Sequence, residues 1–429
     1  MVHCLESTRF EQLDATSASV LARLQTMLSG QTCLYFALPP AVTERACVAL
    51  TESNLRSYLL LALEKPVGTD MTSARRVNRL LTRLAPEEHI FRVDHFLGMP
   101  GVLNLIGLRS GNRLFEPVWN REHVERIEIV FDQVMAVLMM DPPSRLDDNE
   151  LRTNARNVLR ATHVWGDDSG SAVVLGRYTS GCVGDISLPS YVDEPGVRCE
   201  RDTETFAQLV VEVDSWRWSG VPVILRSGRA IGDPPKRSGV VFKQQPHVYG
   251  PFCERMERNV LRVGLEQEEV TLEVDVGNPS RVTALQRVQL RAAAEQTHVS
   301  AYGNVVRWLL EGNPAFMVRA DGAEQGWRIR CTVLAEEGAH PSWTTQRGPP
   351  VRPDRARSTA HGRFDYEEQQ HGTEEGREHA EDHASARHIH ADGAEEKSSQ
   401  QPADDAHDDV QPDALLLIGV HDLACDPAR

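Results

Sequence analysis

The sequence predicts two folded units of different kinds, a parallel α/β unit followed by a larger, mainly antiparallel α+β unit. Apolar runs alternate with a helical pattern over roughly the first 95 residues, which favours a parallel sheet. From about residue 120, short strands with one solvated face follow one another, as is typical of antiparallel sheets. The 429 residues are enough for two domains with cores of their own.

Apolar runs define the first unit. Residues 33–40 (CLYFALPP) predict a buried strand that feeds a loop at the double proline. Residues 58–65 (YLLLALEK) and 90–96 (IFRVDHF) predict two more strands. A helix is predicted between these two, beginning at Asp70 or Ser73, because either side chain caps a helix N-terminus. Its apolar face has helical spacing and consists of Val77, Leu80, Leu81 and Leu84.

Alternation of apolar and polar residues defines the second unit. Apolar residues at every second position of 270–276 predict a half-buried strand. A helix is predicted at 301–311 (AYGNVVRWLLE) and expected to pack near the sheet. The other predicted strands are 124–131, 172–178, 205–214 and 239–243.

The end of the chain has a different composition. From residue 351 onwards, eight Lys/Arg face 19 Asp/Glu, so −11 of the net charge of −16 lies there. Such a segment buries too little apolar surface to offset its ordering entropy, so we predict disorder. Residues 415–420 (LLLIGV) either dock on the folded body or form an exposed apolar patch. His379 and His383 are four residues apart, but a metal site needs an ordered backbone, so no metal is predicted.

Composition also excludes several classes of function. No stretch reaches the roughly 18 apolar residues that a membrane span needs, and the N-terminus lacks the apolar core of a signal peptide. The eight cysteines are scattered without a CxxC pair, which indicates reduced thiols. Residues 1–350 carry a net charge of only −5, which argues against nucleic-acid binding. We therefore expect a cytoplasmic protein that contacts neither membrane nor nucleic acid.

Five motifs occur in an order that indicates a family. Across roughly residues 33–345, the chain resembles glucose-6-phosphate dehydrogenases. The resemblance implies an oxidoreductase that converts glucose 6-phosphate to 6-phosphogluconolactone with NADP, at the entry of the pentose phosphate pathway. The motifs are 64–68 (EKPVG), 92–98 (RVDHFLG), 112–120 (NRLFEPVWN), 203–206 with 216–231 (WRWSGVPVILRSGRAI), and 302–327.

The resemblance assigns roles to individual residues. Asp94 is implied to be the carboxylate of the catalytic Asp–His pair, which orients the base and stabilises its charged form. His95 is implied to contact the phosphate of the substrate. Lys65 is implied to lie between sugar and cofactor and to contact both, before a proline that is cis in the family. The other cations implied for the substrate are Arg229 and either Lys236 or Arg237, whereas 302–327 is expected to serve packing alone.

Three departures from the family pattern bear on activity. Residues 1–32 hold a single glycine, Gly30, so the glycine-rich turn for the pyrophosphate is absent and an exposed sheet edge is expected. The chain runs from strand 124–131 through Asp132 into the apolar end of a helix, without the segment that carries the family's base histidine. Finally, Met99 replaces a lysine of the signature, and a thioether cannot act as a cation beside phosphate. His123 and His163 are predicted to be surface or turn residues rather than substitutes for that base.

These expectations divide the chain into three parts. Residues 1–95 are predicted to be a remnant of an NADP-binding Rossmann-like domain, 96–345 a substrate and dimerisation domain, and 346–429 a disordered acidic tail. Three accounts of function stay open. They are a dehydrogenase of impaired activity, a non-catalytic relative that binds sugar phosphate or a full-length subunit, and the product of an incomplete gene model. A homo-oligomer, namely a homodimer through the large sheet, is expected of the folded chain, as the resemblance implies.

Overall fold

We describe the protein from a computed structural model. The residues it describes are 10–28, 32–53, 59–129, 132–145, 147–166, 172–183, 186–199, 203–230, 237–247, 257–265, 269–293, 299–335, 344–345 and 416–420.

A parallel sheet forms the centre of the first unit. Its strands β1 (Thr32–Phe36), β2 (Leu59–Glu64) and β3 (Ile90–Val93) pair in parallel, in that order. The surrounding helices are α1 (Ala18–Gln25), α2 (Pro40–Glu52) and α3 (Met71–Leu84). The three predicted strands are therefore confirmed. The double proline begins α2 directly rather than a loop, because proline suits the first helical position, where its missing N–H would have no helical partner.

Helix α3 is positioned by its cap and its apolar face. The Asp70 carboxylate accepts the Ser73 N–H at 2.8 Å, so Asp70 is the cap of the two candidates. Val77 and Leu81 of the predicted face are fully buried against the sheet. On the opposite face of the sheet, Trp308 packs near Phe91. Both faces of the sheet are thus covered, as a parallel sheet requires.

A strand from the acidic tail covers the outer edge of β1. Strand β16 (Leu416–Val420) pairs antiparallel with β1, with Thr32 opposite Val420 and Phe36 opposite Leu416. Docking is therefore the observed alternative for LLLIGV, and the outer edge of β1 is covered rather than exposed as predicted. The apolar tail strand satisfies the main-chain N–H and C=O groups that an edge strand leaves open. The predicted disorder of the remaining tail, with His379 and His383, lies outside the described residues.

A large mixed sheet forms the second unit. Its strand order is β14-β13-β12-β11-β4-β10-β9-β6-β15, with β5 also paired to β9. All neighbours are antiparallel except β4 with β10 and β6 with β15, so the predicted mainly antiparallel sheet is confirmed. The strands are β4 (Val124–Ile129), β5 (Thr162–Val164), β6 (Val173–Tyr178), β9 (Phe206–Val213), β10 (Val223–Gly228), β11 (Arg237–Phe242), β12 (Val260–Gly264), β13 (Glu269–Asn278), β14 (Arg281–Ala293) and β15 (Thr344–Thr345), with a separate hairpin of β7 (Gly181–Val183) and β8 (Ile186–Leu188).

Five helices pack between the two sheets and over the large one. They are α4 (Pro100–Gly111), α5 (Asp132–Met139), α6 (Asp148–Ala161), α7 (Ala301–Leu310) and α8 (Ala320–Ala335). Helix α5 is the innermost of these, because residues 133–139 are all buried. It contacts α4, α6 and β4. None of the helices within the described ranges has both the length and the apolarity to cross a membrane.

Candidate active site at the carboxyl edge of the parallel sheet

Charged residues follow two neighbouring strands of the parallel sheet. Lys65 comes directly after β2, and Asp94 directly after β3, with His95 beginning a short 3-10 turn. The peptide bond between Lys65 and Pro66 is cis, as the resemblance implies. Carboxyl ends of adjacent parallel strands share one edge, which is where open α/β sheets bind ligands. The fold therefore brings together three of the predicted site residues.

Lys65 joins two carboxylates from different parts of the chain. Its Nζ lies 3.3 Å from Oδ2 of Asp94 and 2.6 Å from Oδ1 of Asp132. The Asp94 side chain is only 2% exposed, whereas those of Lys65 and Asp132 are 35% and 31% exposed. The other oxygen of Asp94 accepts the Phe96 N–H at 3.1 Å. One cation and two carboxylates thus share a partly open cluster, which we call the Lys65 cluster (Lys65, Asp94 and Asp132).

The pKa shifts of Lys65 and Asp132 agree that these two residues form an ion pair. Burial lowers the pKa of the Lys65 amine, but the charges and hydrogen bonds of Asp132 and Asp94 outweigh burial and raise it above its ordinary value. Burial likewise raises the pKa of Asp132, but Lys65 and hydrogen bonds from Gln133 outweigh it and hold that pKa below its ordinary value. Lys65 is therefore protonated and Asp132 is a carboxylate at neutral pH.

Helix α5 holds Asp132 in place from its other end. The buried Arg109 guanidinium donates to the carbonyls of Leu138 and Met140, at 2.9 and 2.8 Å. Two buried indole N–H groups, of Trp119 and Trp218, donate to the carbonyls of Leu138 and Met139, at 2.9 and 2.6 Å. These donors occupy the carbonyls that a helix C-terminus leaves without partners. A helix fixed in this way presents its first residue, Asp132, to Lys65 with little freedom.

Aromatic residues orient the groups beside the Lys65 cluster. The rings of His95 and Tyr302 stack with centroids 5.1 Å apart and planes 10° apart. The Glu64 carboxylate accepts the hydroxyl groups of Tyr35 and Tyr302, at 2.8 and 3.4 Å. The expectation that 302–327 serves packing alone was therefore incomplete, since Tyr302, 45% exposed, reaches the site.

The remaining predicted residues are distributed more widely. Arg229 follows β10 in the second sheet and is exposed, while its N–H donates to the Thr205 carbonyl at 2.8 Å. Lys236 lies outside the described residues, and its alternative Arg237 begins β11. Met99 is 5% exposed and packs in the hydrophobic core. The sequence departure at Met99 thus corresponds to a side chain withdrawn from the site.

Lys65, rather than the N-terminus of α2, is the described feature that fits a bound dinucleotide. Lys65 lies at the edge where a cofactor binds in open α/β sheets. Helix α2, which follows β1, begins at Pro39 and Pro40, and neither has an N–H to donate to a phosphate. Residues 1–9 and 29–31, including Gly30, lie outside the described ranges. Lys65 is therefore the described group best placed to hold the cofactor.

Comparisons with known proteins agree with this architecture. Residues 131–354 match the C-terminal domain of glucose-6-phosphate dehydrogenase, and residues 2–104 match its NAD binding domain. The chain is 30% identical to the glucose-6-phosphate 1-dehydrogenase of Zymomonas mobilis, over 73% of this chain and 72% of the relative. It is 27% identical to the cytoplasmic glucose-6-phosphate 1-dehydrogenase 6 of Arabidopsis thaliana, over 76% of this chain and 68% of the relative.

A solved structure shares the fold. It is a glucose-6-phosphate dehydrogenase in complex with its substrate glucose-6-phosphate, with a TM-score of 0.69 and 23% identity over 79% of this chain and 78% of the other. A parallel sheet that matches an NAD binding domain, joined to a large antiparallel sheet, defines the class of nicotinamide-dependent oxidoreductases. Within that class, the chain belongs to the glucose-6-phosphate dehydrogenase family. The predictions of family and fold are confirmed.

Proposed function

We propose that this chain oxidises glucose 6-phosphate at C1 to 6-phosphogluconolactone and passes the hydride to NADP. The observation that carries the proposal is the Lys65 cluster beside His95, at the carboxyl edge of the sheet. Family membership supports the choice of substrate, because a structural relative was solved with glucose-6-phosphate. Lys65, Asp94 and His95 stand in the motifs that carry the resemblance.

The substrate's phosphate needs cations beyond Lys65. Two carboxylates already pair with the single Lys65 cation and outnumber it, so a phosphate dianion gains no net attraction from the cluster itself. Two described groups would contact the phosphate: His95, next to the cluster, would supply a hydrogen bond, and the exposed Arg229 would supply a charge as well. Lys236 is proposed as a further contact. Arg229 would bind in a planar, bidentate way that a lysine cannot reproduce.

NADP is the proposed hydride acceptor. A bound nicotinamide dinucleotide supplies the oxidant for C1, and Lys65 would lie between it and the sugar. The match of residues 2–104 to an NAD binding domain supports this assignment.

A second candidate function rests on Met99. This residue stands where the family signature has a lysine, and it is buried in the core. Loss of that cation favours a relative of reduced activity, or one that binds sugar phosphate without oxidising it. The two candidates differ in turnover rather than in binding.

We also propose a cellular location and an oligomeric state for the chain. A cytoplasmic location is supported by the cytoplasmic relative from Arabidopsis thaliana. A homodimer through the large sheet is supported by apolar side chains exposed on the two outermost strands at one end of it, since Val276 of β13 and Leu290 of β14 are 41% and 56% exposed.

The test is an incubation of the purified chain with glucose 6-phosphate and either NADP or NAD. Reduced nucleotide is followed by absorbance, and 6-phosphogluconate by mass spectrometry. Turnover that falls in an Asp94→Asn variant of unchanged melting temperature supports the dehydrogenase. Binding of glucose 6-phosphate by calorimetry without turnover supports the binding relative, and neither binding nor turnover contradicts both.

A further inference from the structure

We infer that Asp132 takes the proton from the C1 hydroxyl of the sugar, in a chain without the family's base histidine. This inference rests on the proposed dehydrogenase function and names a residue that its sequence motifs do not include. Asp132 enters the site from the first turn of α5, 67 residues after Lys65.

Exposure distinguishes the two carboxylates that share Lys65. Asp94 is almost fully buried, and its two oxygens accept the Phe96 N–H and the Lys65 amine. Asp132 is 31% exposed, so a solute can reach its carboxylate. A general base must lie within hydrogen-bond reach of the proton it removes, which Asp132 permits and Asp94 does not.

The surroundings of Asp132 hold it ionised and fixed. Oδ1 accepts the Lys65 amine at 2.6 Å, and Gln133 Nε2 lies 3.5 Å from Oδ2. Helix α8 lies behind it, because a Cβ on Gly326 would stand 3.4 Å from Oδ2. A fixed carboxylate beside a cation is a weaker base than a free imidazole, but it is fully deprotonated at neutral pH.

The step balances with the proposed cofactor. The O–H bond at C1 breaks, and its proton forms a bond to a carboxylate oxygen of Asp132. The C1–H bond breaks with its electron pair, which passes to a nicotinamide dinucleotide as hydride, and C1 becomes the carbonyl of the lactone. Asp132 then returns its proton to solvent through its exposed side.

The test compares Asp132→Ala with a matched variant, Asp147→Ala, which removes an aspartate from the N-terminus of α6. For Asp132→Ala we expect kcat to fall by roughly 10²–10⁴-fold, with a calorimetric Kd for glucose 6-phosphate within about threefold of the parent. Added formate, a small carboxylate, is expected to restore part of the rate in Asp132→Ala alone. Lys65 keeps Asp94 as its partner in this variant, so loss of the cation does not explain the change.

Several results would overturn the inference. Near-parental kcat in Asp132→Ala, or a loss that formate does not rescue, contradicts the role of Asp132 and leaves the dehydrogenase intact. A loss of kcat in His95→Asn with formate-insensitive Asp132→Ala assigns the base to His95 instead. A parent chain that binds glucose 6-phosphate without turnover excludes a working base, and one that shows neither property contradicts the proposed function itself.

Discussion

The Lys65 amine and the Asp132 carboxylate lie 2.6 Å apart, although one follows a strand of the parallel sheet and the other begins a helix of the second unit. This ion pair joins the two folded units at the edge where the substrate is proposed to bind. It also brings a carboxylate into the site at the point where the chain passes from β4 into α5.

The ion pair predicts a specific dependence of stability on pH. The pKa of Asp132 is lowered in the folded state, so its contribution is present above the unfolded value and is lost as pH falls through the folded one. The pKa of Lys65 is raised, so its contribution is present below the unfolded value and is lost as pH rises through the folded one. The difference in melting temperature between parent and Asp132→Asn should stay constant from about pH 5 to 9 and shrink below about pH 4. Scanning calorimetry checks this, with the exposed Glu122→Gln as control. A difference that grows toward acid pH would contradict it.

Glu87 holds the two units together through buried charge. Its carboxylate accepts hydrogen bonds from Arg92 at 2.8 Å, from Arg152 at 2.9 Å and from the Ala320 N–H at 3.1 Å. Glu87→Gln removes the carboxylate that bonds two buried guanidinium groups, so we expect a loss of about 3–5 kcal/mol in the free energy of unfolding. The neighbouring Glu88 is exposed, and Glu88→Gln should change it by less than about 0.5 kcal/mol. Urea unfolding of both variants measures the free energies of unfolding. Equal losses in the two variants would mean that the Glu87 hydrogen bonds and ion pairs do not stabilise the fold.

The turn after β3 approaches α7 closely because Gly98 has no Cβ. A Cβ at Gly98 would lie 2.5 Å from the carbonyl oxygen of Ala301, next to Tyr302. Gly98→Ala should therefore displace α7, lower the melting temperature and loosen the stacking of Tyr302 on His95. Gly107 lies on α4 with open space around it, so Gly107→Ala should instead stabilise by about 0.5–1 kcal/mol. Thermal unfolding of both variants decides, and a stable Gly98→Ala would show that the approach is not tight.

The tail strand predicts the association state of the chain. Removal of residues 416–429 deletes β16 and exposes the edge of β1, which should promote self-association. Removal of 421–429 alone keeps the strand and serves as the control. Size-exclusion chromatography with light scattering compares the two. Identical profiles would mean that β16 does not protect the edge.

The family resemblance assigned both Lys65 and Asp94 to one site, and the fold brings them together because carboxyl ends of neighbouring parallel strands share one edge. The sequence did not predict Asp132, whose position between a strand and a helix indicates a turn or cap residue. Only the fold shows that Asp132 lies beside Lys65, the residue that follows β2. Tyr302 was missed for a similar reason, since a tyrosine near a helix start suggests packing until the helix is seen against His95. Long-range contacts of this kind leave no local pattern in a single sequence.

The most direct measurement is the steady-state rate of NADPH formation by the purified chain with glucose 6-phosphate and NADP. The parent is compared with Lys65→Met and with Lys243→Met, which removes an exposed lysine elsewhere. We expect turnover in the parent and in Lys243→Met, and a loss of roughly 10²-fold or more in Lys65→Met, because a fixed cation at the reacting centre is removed. No turnover in a folded parent would contradict the proposed dehydrogenase function, and equal rates in all three proteins would contradict the placement of the active site at the carboxyl edge of the parallel sheet.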